Sequence, residues 1–270
     1  MKLLSRRVVA KPWGRDDLPR EFRGESSDRI GEVWFEPPAE LPDLLAKYIF
    51  TSEKLSVQVH PSDAQAKALK ETGRGKEECW LVVDAEPGAT LGIGFSAPSS
   101  SEIIRQSAID GSIEELMEWF EVQPGDFFYI PAGTVHAIGA GITLVEIQQN
   151  SEITYRLFDY GRPRELHLER GIAVAKGEPH SPALRQNLMS RSTVKLVDGP
   201  YFGLLRVVGP VSRCEIAMPE GKSLLVLPIK GQARIDNSYC GKSEAAIIEA
   251  GDDFRLAPGS ECLIAWSCLS

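Results

Sequence analysis

One short stretch of this chain occurs twice. Gly125-Asp126-Phe127-Phe128-Tyr129-Ile130-Pro131-Ala132-Gly133 is echoed 126 residues on by Gly251-Asp252-Asp253-Phe254-Arg255-Leu256-Ala257-Pro258-Gly259. Gly, Asp, Phe and the closing Gly coincide. Each copy runs strand formers into a turn, where proline presets its own φ and glycine takes a positive φ at no steric cost. A chain of 270 residues that reuses such a unit half its length away is constrained to a mainly β fold of two related parts. From 187 on, strands are expected at 193–197, 202–208, 213–217, 223–227, 232–235, 245–249, 253–256 and 261–266. Short strands parted by Gly and Pro turns indicate sandwiches or barrels. The first copy leads into His136, whereas the matching position of the second is Cys262. The second half therefore reads as a degenerate copy with a packing role.

The first half carries strands with an unusual polar face. In Leu55-Ser56-Val57-Gln58-Val59-His60, the apolar residues face one way and Ser56, Gln58 and His60 the other. That face holds no Lys or Glu, so it suits a polar cavity better than open water. In Lys76-Glu77-Glu78-Cys79-Trp80-Leu81-Val82, Glu78 shares a face with Lys76, Trp80 and Val82, and an inward carboxylate needs a cation beside it. In Thr143-Leu144-Val145-Glu146-Ile147-Gln148, Leu144, Glu146 and Gln148 point one way. Thr154-Tyr155-Arg156-Leu157-Phe158 sets a base between aromatics. Two of the four histidines, His60 and His136, lie on the best cavity-facing strands, and Glu78 lies on a third. Two His, one carboxylate and an amide oxygen or water form a site for a divalent metal such as zinc, and Mn, Fe or Co also suit this donor set. His167 and His180 read as surface residues. Glu32 follows Gly31 at the start of an apolar strand and reads as a carboxylate facing a site. Trp13 and Trp34 read as covering one end of a barrel.

Between these strands, 62–71 reads as a short helix capped by Ser62 or Asp63. Residues 96–121 read as a helical insertion, with Ser112-Ile113-Glu114-Glu115 as a capping box. Residues 165–176 read as a helix or connector.

The composition narrows the partners. A net charge of −8 argues against general binding to nucleic acid or membranes. An anionic ligand would need cations gathered locally. The five cysteines show no CxxC spacing and read as reduced thiols of a cytoplasmic protein. The amino-terminal residues lack the apolar core of a signal peptide, and no apolar run is long enough to span a bilayer.

Taken together, Gly125…Pro131-Ala132-Gly133…His136 matches the second signature of the cupin barrel. Leu55-Ser56-Val57-Gln58-Val59-His60-Pro61, Gly75-Lys76-Glu77-Glu78-Cys79-Trp80, Gly31-Glu32-Val33-Trp34 and Gln148-Gln149-Asn150-Ser151-Glu152-Ile153-Thr154-Tyr155-Arg156 are more specific. With them, the chain resembles the type I mannose-6-phosphate isomerases of the short bacterial form, strongly over residues 10–165. The resemblance implies two cupin-type (jelly-roll) β-barrels. Residues 1–165 would be a metal-binding catalytic domain, 166–190 a connector and 191–270 a second domain without metal ligands. It implies one Zn²⁺ per chain held by Gln58, His60, Glu78 and His136. Arg156, Lys76 and Glu146 would act in catalysis, and Lys47, Ser56, Lys76 and Arg156 would contact substrate. Ile138 stands where longer members carry a tyrosine. The implied reaction interconverts mannose 6-phosphate and fructose 6-phosphate through a cis-enediol, in a monomer or small homo-oligomer. The base remains open between Glu146, Lys76, His60 and metal-bound water, while Arg162 and Arg164 are further candidates for the phosphate. Two other readings compete. A cupin dioxygenase would prefer an HxH pair and an apolar pocket, which Gln58-Val59-His60 and the Lys/Arg rim oppose. A sugar-phosphate-binding cupin without catalysis would not need Lys76, Glu146 and Arg156 together.

Overall fold

The structure, a computed structural model, describes all residues except 25–27, 72, 189–191 and 270. The boundary expected at 190/191 lies outside the described residues. Among the described residues the strands form four antiparallel sheets stacked as layers. A five-stranded sheet faces a seven-stranded sheet. The latter turns its other face to a six-stranded sheet, which a four-stranded sheet covers in turn. This mainly β, cupin-type architecture agrees with the expected fold class.

The alternation of side chains explains the layering. In the strand Glu78–Ala85, Trp80 and Val82 face the five-stranded sheet, while Cys79 and Leu81 face the six-stranded one. In Leu44–Phe50, Ala46, Tyr48 and Phe50 turn to the six-stranded sheet. Its Phe202, Leu204, Leu225, Leu227 and Leu263 fill the other side of that layer. Strands buried on both faces read as continuous apolar runs, as Leu44-Leu45-Ala46-Lys47-Tyr48-Ile49-Phe50 does but for one lysine. The space between the six- and four-stranded sheets is filled by apolar side chains including Val207, Leu224, Val226, Phe254, Leu256 and Ile264.

The two large sheets run in parallel order. The seven-stranded sheet is built from Arg185–Asn187, Asp126–Ile130, Glu78–Ala85, Ile142–Gln149, Leu44–Phe50, Ile30–Phe35 and Arg6–Arg15. The six-stranded sheet is built from Lys2–Leu3, Ala246–Ile248, Leu224–Lys230, Glu261–Ser267, Phe202–Val208 and Val194–Asp198. Each has a two- or three-residue edge strand from a distant part of the chain. This order corrects the sequence echo. The strand in the place of His136–Ile138 is Phe254–Leu256, since each sits beside the hairpin at the edge of its small sheet. Cys262 instead starts the counterpart of Ile142–Gln149. The Gly-Asp-Phe echo repeats turn chemistry, one strand out of step with the fold.

Helices cover the outer face of the five-stranded sheet. Asp63–Ala68 is capped by Ser62 and Gln65 in a reciprocal box. Ser101–Asp110 and Leu168–Val174 pack on Val57, Val59, Tyr155 and Leu157. The helix expected up to 121 stops at Leu116. Met117–Glu121 is a strand paired with Thr90–Phe95, and the Ser112 hydroxyl bonds Asp110 rather than capping. Residues 213–215 form a 3₁₀ turn where a strand was expected, and Ser238–Gly241 is a strand that was not.

Candidate active site

The site is made by register. In the seven-stranded sheet Glu146 stands between Lys47 and Trp80, and Gln148 opposite Glu78. In the five-stranded sheet Gln58 stands between His136 and Arg156. These side chains meet in the space between the two sheets, at the polar end of a core otherwise filled by Ile49, Trp80, Leu91, Ile138 and Leu144.

His60, Glu78 and His136 are buried, and their ligand atoms all lie within 4.8 Å of one another. His60 Nε2 is 3.5 Å from Glu78 Oε2, and His136 Nε2 is 3.4 Å from Glu78 Oε1. Both rings are oriented from behind. His60 Nδ1 lies 2.7 Å from the Ile153 carbonyl and His136 Nδ1 2.9 Å from the Thr134 carbonyl. A carbonyl accepts only, so each Nδ1 carries the proton and each Nε2 presents a lone pair to the cavity. Burial, with Lys76 nearby, pushes the His60 imidazole well below its usual range. Burial lowers His136 likewise, against the opposing pull of Glu78. Both rings are therefore neutral, as ligation requires. Burial alone would raise the Glu78 carboxyl, but Lys76 and the other neighbours hold it below its usual range.

This donor set passes a physical test for a metal. His60 Nε2 and Glu78 Oε1 are buried without a hydrogen-bond partner, while Glu78 Oε2 is met by Lys76 alone. Such orphans are costly in a packed interior unless a cation completes them. Gln58 belongs with the three, its side-chain amide 3.2 Å from His136 Nε2. The amide can present nitrogen or oxygen by rotating about its last bond.

A chain of alternating charge leads away from the cluster. Lys76 Nζ is 2.6 Å from Glu78 Oε2 and 3.4 Å from Glu146 Oε1. Lys47 Nζ is 2.8 Å from the same Glu146 oxygen, and Trp80 Nε1 donates to the other at 3.0 Å. All four charged groups are buried. Burial works against the charged form of Lys47, but Glu146 and Glu32 outweigh it and raise its proton affinity. Lys47, Lys76 and Glu146 wall a cavity of about 270 Å³ that also reaches Ser56, Gln58, Arg156 and Arg164.

Of the residues expected at the site from sequence, all but Arg162 are at this cluster or its cavity. Glu32 is there too, accepting from Trp34 Nε1 at 2.5 Å and 3.7 Å from Lys11. Lys11 and Gln148 were not singled out as site residues. Gln148 was visible in the alternation, but nothing local marks Lys11, which comes from the edge strand beside that of Glu32. Arg156 does not pair with Asp159, which instead takes Arg162 and Arg164. His180 is no surface residue: it is buried, with Nε2 2.9 Å from the Tyr129 carbonyl.

No family model matches the chain. The mannose-6-phosphate isomerase ManA of Bacillus subtilis (strain 168) is 35% identical over 238 residues, which cover 82% of this chain and 74% of that protein. A crystal structure of the mannose 6-phosphate isomerase from Bacillus subtilis superposes with a TM-score of 0.81 at 26% identity, covering 98% of both chains. A zinc-bound holo mannose 6-phosphate isomerase shares the fold, with a TM-score of 0.75 at 14% identity over 99% of both chains.

Proposed function

This chain belongs to the mannose-6-phosphate isomerase family, and we propose that it interconverts mannose 6-phosphate and fructose 6-phosphate in the cavity beside His60, Glu78 and His136. The observation that carries this reading is the buried donor cluster with both imidazoles aimed by backbone carbonyls. We assign Gln58, His60, Glu78 and His136 to a single Zn²⁺, whose nitrogen and oxygen donors suit that ion. When bound, it supplies Lewis-acid stabilisation of negative charge developing on the sugar oxygens.

The chain's own residues do the rest. Isomerisation moves a proton between C2 and C1 by way of a cis-enediol. Glu146 is our choice for the proton carrier. Its carboxylate is held by Lys47 on one oxygen and Trp80 on the other, with Lys76 behind. That grip fixes its direction toward the cavity, as proton transfer demands. Lys76 and Lys47 balance the charges of Glu78 and Glu146, so the buried quartet is neutral by itself. A divalent ion added to it leaves the pocket net positive, which favours a dianionic substrate. Arg156 takes the phosphate end, and Ser56 offers a hydroxyl on the cavity wall. We assign the chemistry to residues 1–165 and a packing role to 191–270.

Among the described residues, no helix is long and apolar enough to cross a membrane. The five cysteines are free thiols, which fits a reducing compartment, and we place the enzyme in the cytoplasm.

A coupled assay with both sugar phosphates, with and without chelator, tests the reading. Turnover that needs about one zinc per chain supports it. Absence of turnover in the zinc-replete protein would sink it and favour a non-catalytic sugar-phosphate binder.

A further inference from the structure

The chain from Asp159 to His167 folds back over Arg156. The Arg162 amide donates to the Asp159 carbonyl at 3.0 Å, and the His167 amide to the Arg156 carbonyl at 2.7 Å. Arg156 Nη1 donates to the Glu165 carbonyl at 2.6 Å. The turn passes through Tyr160 and Gly161, with φ of 56° and 77°. A tyrosine in that left-handed region is strained and persists only where its surroundings hold it.

What the turn holds is Asp159. Its carboxylate is almost completely buried and accepts from Arg164 Nε and Nη2, both at 2.6 Å. This is the fork geometry that fixes a guanidinium plane as well as its place. Arg162 reaches Asp159 only at 3.5 Å, with Nη1, and its other nitrogens are drawn elsewhere. Its Nη2 donates to the Lys54 carbonyl, and its guanidinium lies 5.4 Å from the Tyr160 ring. It does not line the cavity, whereas Arg164 and Arg156 both do. Arg156 Nε is buried with no hydrogen-bond partner. Burial first, and then Arg164, make the charged form of Arg156 harder to keep, as expected for two cations facing one space. Two guanidiniums share one space, one of them held by Asp159 and the other keeping an orphan N–H, and this leaves room for an anion.

We propose that Arg164 is the second cation of the phosphate subsite and that Asp159 is its positioning residue, using the Nε edge and leaving Nη1 to the substrate. This rests on the isomerase reading above. Arg162 serves the turn and not the substrate.

Arg164→Ala should raise KM for mannose 6-phosphate by roughly 10- to 100-fold, the effect of losing one charge-assisted contact, with a smaller change in kcat. Competitive inhibition by inorganic phosphate should weaken in parallel. Asp159→Asn keeps the shape but accepts only one N–H, so it should reproduce part of the KM rise, with Arg164→Lys in between. If Asp159→Asn lowers only the melting temperature while KM and phosphate inhibition stay put, Asp159 is structural and the assignment falls. Titration of the zinc-loaded protein with inorganic phosphate separates this proposal from the one beneath it. Phosphate bound by the parent protein and lost in Arg164→Ala upholds the subsite even without turnover. An active parent whose KM is unmoved by Arg164→Ala overturns the subsite alone. If Arg164→Ala fails to fold, Arg164→Gln carries the same titration.

Discussion

At the scale of single residues, the site is a set of buried charges that depend on one another. Two ammonium groups converge on one oxygen of Glu146. Glu146→Gln keeps the volume and removes the carboxylate that we propose as the proton carrier. It should lower kcat by about 10²- to 10⁴-fold, the usual share of a positioned base, while bound zinc stays near one per chain. Zinc lost along with activity would place Glu146 in metal binding instead. His180 affords a test of pH. Burial drives its imidazole below the ordinary value of 6.5, so it is neutral in the fold. The unfolded chain takes up a proton below about pH 6.5. Stability is therefore fully present above that pH and lost as pH falls through it, by at most about 1.4 kcal/mol per pH unit for one group. His180→Gln should melt with a shallower dependence between pH 7 and 5. An unchanged slope would show that the ring is not held neutral. His60, Glu78 and His136 were legible because alternation puts them on facing strands. His180 was not, because what buries it, Phe120 and Phe128, lies over 50 residues away.

At the scale of elements, turns and registers decide where those side chains point. Gly133 ends the turn before His136 at φ 86°, and its amide donates to the His60 carbonyl at 2.8 Å. One backbone bond thus ties the approaches to two ligands. A Cβ at Gly133 would stand 2.9 Å from the Val174 carbonyl oxygen. Gly133→Ala should cost about 1–2 kcal/mol from the left-handed backbone alone, and weaken zinc retention as well. Chemical denaturation and metal competition would read the two, and a stability loss with unchanged metal affinity would detach the turn from the site. The turn and its histidine were readable from Pro131 and Gly133. The strand Met117–Glu121 was not. Its residues suit a helix locally, and only pairing with Leu91 and Gly92 draws them into the sheet. The echo at 251–259 misled for a related reason: Gly, Asp and Phe mark a kind of turn, and the same turn can join different strands.

At the scale of the whole molecule, the outer face of the catalytic sheet is covered by the six-stranded sheet. Phe202 is fully buried in that layer, near Tyr129, and shares its core with Tyr48. Phe202→Ala should cost about 3–5 kcal/mol, as for other large-to-small changes in cores. Because the layer is shared, melting should remain a single transition followed equally by zinc release and by loss of β signal. Two separated transitions would mean that the sheets fold independently. The apolar content of this layer was plain in sequence, but its partnership was not, since alternation says that a face is buried and not against what.

The short strand Lys2–Leu3 pairs with Ala246–Ile248, its Lys2 opposite Ile247. Read in time, this sets an order of events. A ribosome adding about 5–20 residues per second makes the partner roughly 10–50 s after the strand itself. Through that interval the edge beside Ile247 does not exist, and the first residues must wait unpaired. The strands that carry His60, Glu78 and His136 are all made before it, so they too wait for the sheet that covers them.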